Sequence, residues 1–243
     1  WRVLPLYALM GLCLAGFFGA MFWAAHRTTA LSMATLYVTV PLLAYLLGLG
    51  FRVERLEKQL PGILALGACG ALALAFAEAQ GHGEGIQLGA GEAAFFLGCV
   101  STALYPVLGK WGLARGWLPG SASVRTFWSL ALGGLIIGLL GLLVEPVAQF
   151  ATMRWQDLAL VIYLGLFSSA LTFWLMQRAT AVLTPGAVTA YGYLVPFISM
   201  LLLCMTAPGQ FGWHWLPGSL LVLIAIGLLL FRAEPARRNG CVS

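Results

Sequence analysis

The sequence predicts an all-α fold, a polytopic transmembrane helical bundle with eight visible spans. Three observations carry this. Of 243 residues, 61% are hydrophobic and 9% are charged, where a soluble domain carries about 25% charged residues. The apolar runs are near-continuous and about 20 residues long, the length that crosses a hydrocarbon core of roughly 30 Å at about 1.5 Å per residue. They do not alternate apolar with polar residues as barrel strands do. Disorder, collagen, coiled coil and nucleic-acid binding fall away as main readings. The net charge of +5 reads as positive loops on one membrane face, not as a nucleic-acid partner.

The spans fall, in order, at 3–25, 30–50, 60–78, 91–110, 126–147, 157–177, 182–205 and 216–231. The connectors Phe51–Gln59, Gln80–Gly89, Trp111–Ser121 and Ala207–Trp215 are short and rich in Gly, Pro and charge, and none holds a soluble domain. With the visible start in the cytoplasm, that side receives Arg2, Arg52, Arg55, Lys58, Lys110, Arg115, Arg125, Arg178, Arg232, Arg237 and Arg238. The far side keeps Arg27 and Arg154, a split of 11 to 2. The expectation is a multi-pass protein of a cell membrane, the bacterial inner membrane, with both visible ends cytoplasmic. The run Arg52-Val53-Glu54-Arg55-Leu56-Glu57-Lys58 alternates sign and reads as a solvated turn that pins topology. Cys13, Cys69, Cys99 and Cys204 lie in apolar runs and Cys241 in the tail, at no disulfide or metal spacing.

Two stretches copy each other. Phe22-Trp23-Ala24-Ala25-His26-Arg27-Thr28-Thr29-Ala30 lies over Phe173-Trp174-Leu175-Met176-Gln177-Arg178-Ala179-Thr180-Ala181 at an offset of 151. Val40-Pro41 lies over Val195-Pro196 at 155, and Leu60-Pro61-Gly62 over Leu216-Pro217-Gly218 at 156. Spans one to three therefore match spans six to eight. A period of five spans is odd, so the copies cross the membrane in opposite senses, the arrangement of many secondary transporters. It also implies ten helices in all, with a further pair ahead of Trp1.

On these residues the chain resembles the EamA-type drug/metabolite transporter superfamily. The Phe-Trp turn before a Pro-bearing helix carries the resemblance, at Phe22-Trp23 to Pro41 and again at Phe173-Trp174 to Pro196. So does Val53-Glu54-Arg55-Leu56 before Leu60-Pro61-Gly62, which is similar to the family's Gly-Glu-Arg loop with Val53 in place of Gly. The resemblance implies a ten-helix fold of two inverted five-helix halves. Residues 1–79 then form the last three helices of the first half, 80–90 an extracytoplasmic connector, 91–232 the second half and 233–243 a cytoplasmic tail. It also implies alternating-access transport of a small molecule.

Enzyme signatures are missing from the sequence. No span holds a central carboxylate, and no nucleophile–base set appears. The expectation is a small-molecule exporter and not an enzyme, with no cofactor and no metal; the alternative is a non-transport membrane protein, either a lipid-handling enzyme or a structural subunit. His26, His82 and His214 read as loop residues, since no carboxylate or Cys sits beside them at ligand spacing. The expected partners are a small-molecule substrate and membrane lipid. Hydroxyls and aromatic rings within the spans form the candidate substrate lining: Ser32, Tyr37, Thr39, Tyr105, Ser168, Thr172, Trp174, Tyr191 and Tyr193. Such a lining grips neutral, zwitterionic or aromatic metabolites, amino-acid-like or drug-like. Phosphate esters are disfavoured because no basic residue falls near mid-membrane. Tyr191 and Tyr193 point about 200° apart on an ideal helix. Tyr193 is favoured for the cavity because Thr189 and Pro196 share its face. Small residues at Gly11, Ala15 and Gly19, and at Gly134 and Gly138, predict close helix approach.

Overall fold

A computed structural model describes residues 3–57, 59–80, 89–144, 153–206 and 216–239. The described residues are helical throughout: α1 Val3–Ala25, α2 Ala30–Tyr37, α3 Val40–Gly50, α4 Gln59–Gln80, α5 Ala90–Ala114, α6 Ala122–Val144, α7 Trp155–Tyr163, α8 Thr172–Val182, α9 Pro185–Thr189, α10 Leu194–Thr206 and α11 Leu216–Asn239. A π-helical segment, Leu164–Leu171, joins α7 to α8, and a 3₁₀ turn, Ala190–Tyr193, joins α9 to α10. Among them, six helical segments are long and apolar enough to cross a membrane, and Leu216–Phe231 is a shorter apolar helix. His82, His214, Glu84, Glu145 and Cys241 lie outside the described residues.

Two predicted spans are broken, and both breaks have the same cause. The 30–50 span divides into α2 and α3 at Val38–Thr39, just before Pro41. The 182–205 span divides at Ala190–Tyr193, just before Pro196. Each proline removes the N–H that would bond four residues back and disfavours helical geometry in the residue before it. The two prolines are the repeat-matched pair, so the interruption recurs in both copies at the same register. The Trp–Arg pairs match as well: Arg27 lies 4.1 Å over Trp23, and Arg178 lies 5.5 Å over Trp174.

Close packing is set by glycine at Gly11, as the spacing predicts, but not at the other glycines it named. Gly11 meets Gly133: a Cβ on Gly11 would stand 2.8 Å from the Gly133 nitrogen. Gly19, Gly134 and Gly138 have open space instead, and Gly134 lines a cavity beside Leu14, Ala15 and Phe18 of α1. α4 and α11, which share the Leu-Pro-Gly start, pack through Gly70 and Gly218; a Cβ on Gly218 would lie 2.9 Å from the Gly70 carbonyl. Cys13 and Cys99 are buried free thiols, while Cys69 is exposed on α4.

One end of the bundle gathers the loops after α3, α5 and α8. Lys110 Nζ donates to the Ala181 carbonyl at 3.2 Å, and Gly186 N–H to Glu54 Oε1 at 2.9 Å. Two residues assigned to solvated loops are corrected here. Arg125 is wholly buried, and Glu54 is buried against α3 and α9. Arg125 is drawn in because its guanidinium finds a full set of acceptors: the Pro119 and Gly120 carbonyls, the Gln177 carbonyl and Gln177 Oε1, all within 3.1 Å. Carbonyl dipoles converging on a guanidinium replace its hydration shell.

Candidate substrate site between the broken helices

The two interruptions touch. A Cβ on Gly192 would stand 3.3 Å from Tyr37 Cε1, and residues 37 and 192 correspond at the repeat offset of 155. The Tyr37 and Tyr191 hydroxyls lie near each other across this contact. Tyr37 is braced from behind by Phe17, ring to ring at 6.1 Å. Pro41 and Pro196 have no N–H, so the Tyr37 and Gly192 carbonyls lack the donor four residues on.

Tyr191 also lines a cavity of about 350 Å³ with Thr172, Met176, Ala179, Ala187 and Val188, between α8 and α9. It is 43% exposed. Thr172 Oγ1 donates to the Phe167 carbonyl of the π segment at 3.2 Å. The walls are apolar, with hydroxyls as the polar handles and no charged side chain in the lining. Such a cavity offers rings a large contact area and a few directional hydrogen bonds.

The structure brings Tyr37, Thr172 and Tyr191 together. The other candidates lie elsewhere. Tyr193 is 1% exposed and packs into the α4–α11 core, where a Cβ on Gly67 would lie 2.5 Å from its ring. The preference for Tyr193 over Tyr191 therefore reverses: the 3₁₀ turn changes the pitch, and the glycines of α4 make room for a ring on the core side. Tyr105 is buried, with its hydroxyl 2.8 Å from Ser129 Oγ and its ring against Phe173. Ser32 is buried beside the Thr29 N-cap of α2. Thr39 bonds back to the Leu36 carbonyl at 2.6 Å. Ser168 is exposed on the π segment. Trp174 donates to Ser123 Oγ at 3.1 Å and lines a second cavity, about 660 Å³, between α6 and α8.

Sequence reasoning missed Arg125, Gln177 and Glu54 as interior polar groups. Arg125 and Gln177 pair across 52 residues and Glu54 with Gly186 across 132, and no local pattern signals such pairings. Among the described residues, no cluster of three His, Cys, Asp or Glu side chains forms a metal site.

Two broken helices that touch inside an all-helical bundle with six long apolar segments define a multi-pass membrane protein. The comparisons agree. The EamA-like transporter family model matches residues 89–231, more than half of the chain. The chain belongs to the EamA-like transporter family. It is 28% identical over 206 residues to Protein PecM of Dickeya dadantii (strain 3937), covering 83% of this chain and 64% of that protein. The chain thus spans less than two thirds of that relative's length. A solved crystal structure superposes with a TM-score of 0.72 at 18% identity, over 96% of this chain and 80% of that one. That likeness shows the helical fold.

Proposed function

We propose that the protein exports small neutral, zwitterionic or aromatic metabolites, amino-acid-like or drug-like, by alternating access from the bacterial inner membrane. The observation that carries this is the contact between repeat-matched helix breaks, Tyr37 against Gly192 and Tyr191, beside an apolar cavity with hydroxyl handles. Repeat interfaces with discontinuous helices are where transporters of this build hold cargo. The 11-to-2 charge split, and the gathering of Glu54, Lys110 and Gly186 at one end, support a cytoplasmic placement for that end. The halves at 1–79 and 91–232 act as the two moving units.

The test is a metabolite-release and toxicity panel with the full chain expressed in a deletion host. Tyr191→Ala and Tyr37→Phe lower release of the cargo identified, at unchanged membrane abundance. Unchanged release for both variants would remove the hydroxyl pair from the site.

A further inference from the structure

We infer that Glu54 and Glu92 are a reciprocal pair of gate latches, one at each end of the bundle. Each fastens the start of the broken helix that belongs to the opposite half. This inference rests on the alternating-access reading and names the residues that control it.

The first latch closes on α9. α3 ends where Arg52 adopts a left-handed conformation, φ 58°. The Val53 and Glu54 N–H groups then both turn back onto the Gly48 carbonyl, at 2.9 and 3.1 Å. This turn folds the Glu54 side chain under α3, against Gly48, where a Cβ would meet Glu54 Cγ at 2.5 Å. Its Oε1 accepts from Gly186 N–H at 2.9 Å. Pro185 has no N–H, so Gly186 supplies the first donor that α9 possesses. A first-half carboxylate thus holds the start of the second half's broken span.

The second latch is its counterpart. Thr28 Oγ1 donates to Glu92 Oε1, just before the Thr29 N-cap of α2. Glu92 is buried in the first turn of α5, and Gly91 lets α5 approach the Arg27 backbone, where a Cβ would lie 3.1 Å from the Arg27 carbonyl oxygen. Here a second-half carboxylate holds the start of the first half's broken span. The chain direction puts the two latches at opposite ends: α1 runs from the Arg125 end to Thr28, and the α2–α3 span returns to Glu54. Thr29 and Thr184 are the N-cap residues of α2 and α9.

Both latches are closed in this structure. A helix whose entrance is tied to the other half cannot swing from it until the tie parts. Opening one end therefore breaks one latch and leaves the other. A broken latch shifts the population toward the conformer open at its own end.

Accessibility labelling tests this with the full chain, its five native cysteines replaced. Repeat-matched reporters, Ser32→Cys and Ala187→Cys, are labelled with an impermeant maleimide in vesicles of each orientation. Glu54→Ala raises labelling of position 187 from the Glu54 end by about tenfold, the shift expected for one lost charge-assisted hydrogen bond, and lowers labelling of position 32 from the other end. Glu92→Ala does the reverse. Where an Ala variant fails to accumulate, Glu54→Gln or Glu92→Gln is read in its place. The amide oxygen still accepts, so the shift keeps its direction and is smaller. No shift at matched abundance, or shifts of the same sign at both reporters, overturns the proposal. Flux is scored separately: opposite labelling shifts without any export sink the export reading and leave the latches standing, whereas export with unchanged labelling sinks the latches alone.

Discussion

α1 and the span from Trp155 to Val182 are two copies of one sequence pattern, and their surroundings are opposite. In the most apolar stretch of α1, 39% of residues are buried within the protein; in its copy the share is 6%. Burial also runs in opposite directions along the two. α1 is packed from Leu6 to Phe17 and open at Phe22 and Trp23, whereas the copy is open from Trp155 to Ser168 and packed at Phe173, Met176 and Gln177. Phe22 is 60% exposed and Phe173, its counterpart, 8%. An apolar helix in a membrane has no water to flee, so neighbours decide which face is buried. α1 lies against α5 and α6. Its copy meets α6 mainly through α8, where Trp174, Thr126 and Arg125 make polar contacts. The exposed part is also where the backbone relaxes into a π helix.

The comparison breaks most sharply at Gly11 and residue 162, which correspond at the offset of 151. Gly11→Leu drives a side chain into the α6 backbone and costs about 3 kcal/mol or more, read as lost abundance and a lower Tm in detergent. Ile162→Leu leaves both unchanged. Next come the phenylalanines. Phe173→Ala removes a ring packed on Tyr105 and Phe18 and costs about 3 kcal/mol, while Phe22→Ala changes Tm little. Equal effects of the two would show that burial within the protein does not govern stability here.

Tyr193 and Tyr191 give a finer comparison within one turn. Tyr193→Ala lowers abundance by opening a cavity against α4, of order 3 kcal/mol. Tyr193→Phe retains full stability because the buried hydroxyl has no hydrogen-bond partner among the described residues. Tyr191→Ala leaves abundance intact. Loss of abundance from Tyr191→Ala would return that residue to a packing role. The smallest expected effect is at Ser123: Ser123→Ala removes the Trp174 hydrogen bond and costs about 1 kcal/mol, a shift of a few degrees in Tm.

The breaks at Thr39 and Ala190–Tyr193 were legible in part, since Pro41 and Pro196 announce a local interruption. That the two interruptions meet was not, because their contact joins residues 155 apart. The same holds for Glu54 and Arg125. Sequence marks each as a charge in a short connector, and only the fold supplies the Gly186 N–H or the Pro119 and Gln177 carbonyls that make burial affordable.

The sequence by itself determined the helical membrane architecture, the approximate positions of the helices and the matched prolines that interrupt two of them. These follow from run length, composition and repeated motifs, all properties of neighbouring residues in the chain. Tertiary structure alone decided which face of each helix is buried, which tyrosine reaches the cavity and which carboxylates tie the halves together. Apolar residues surround every helix here, so hydrophobic periodicity carries no facing information. Those choices were left to glycine-sized contacts and to hydrogen bonds between distant segments.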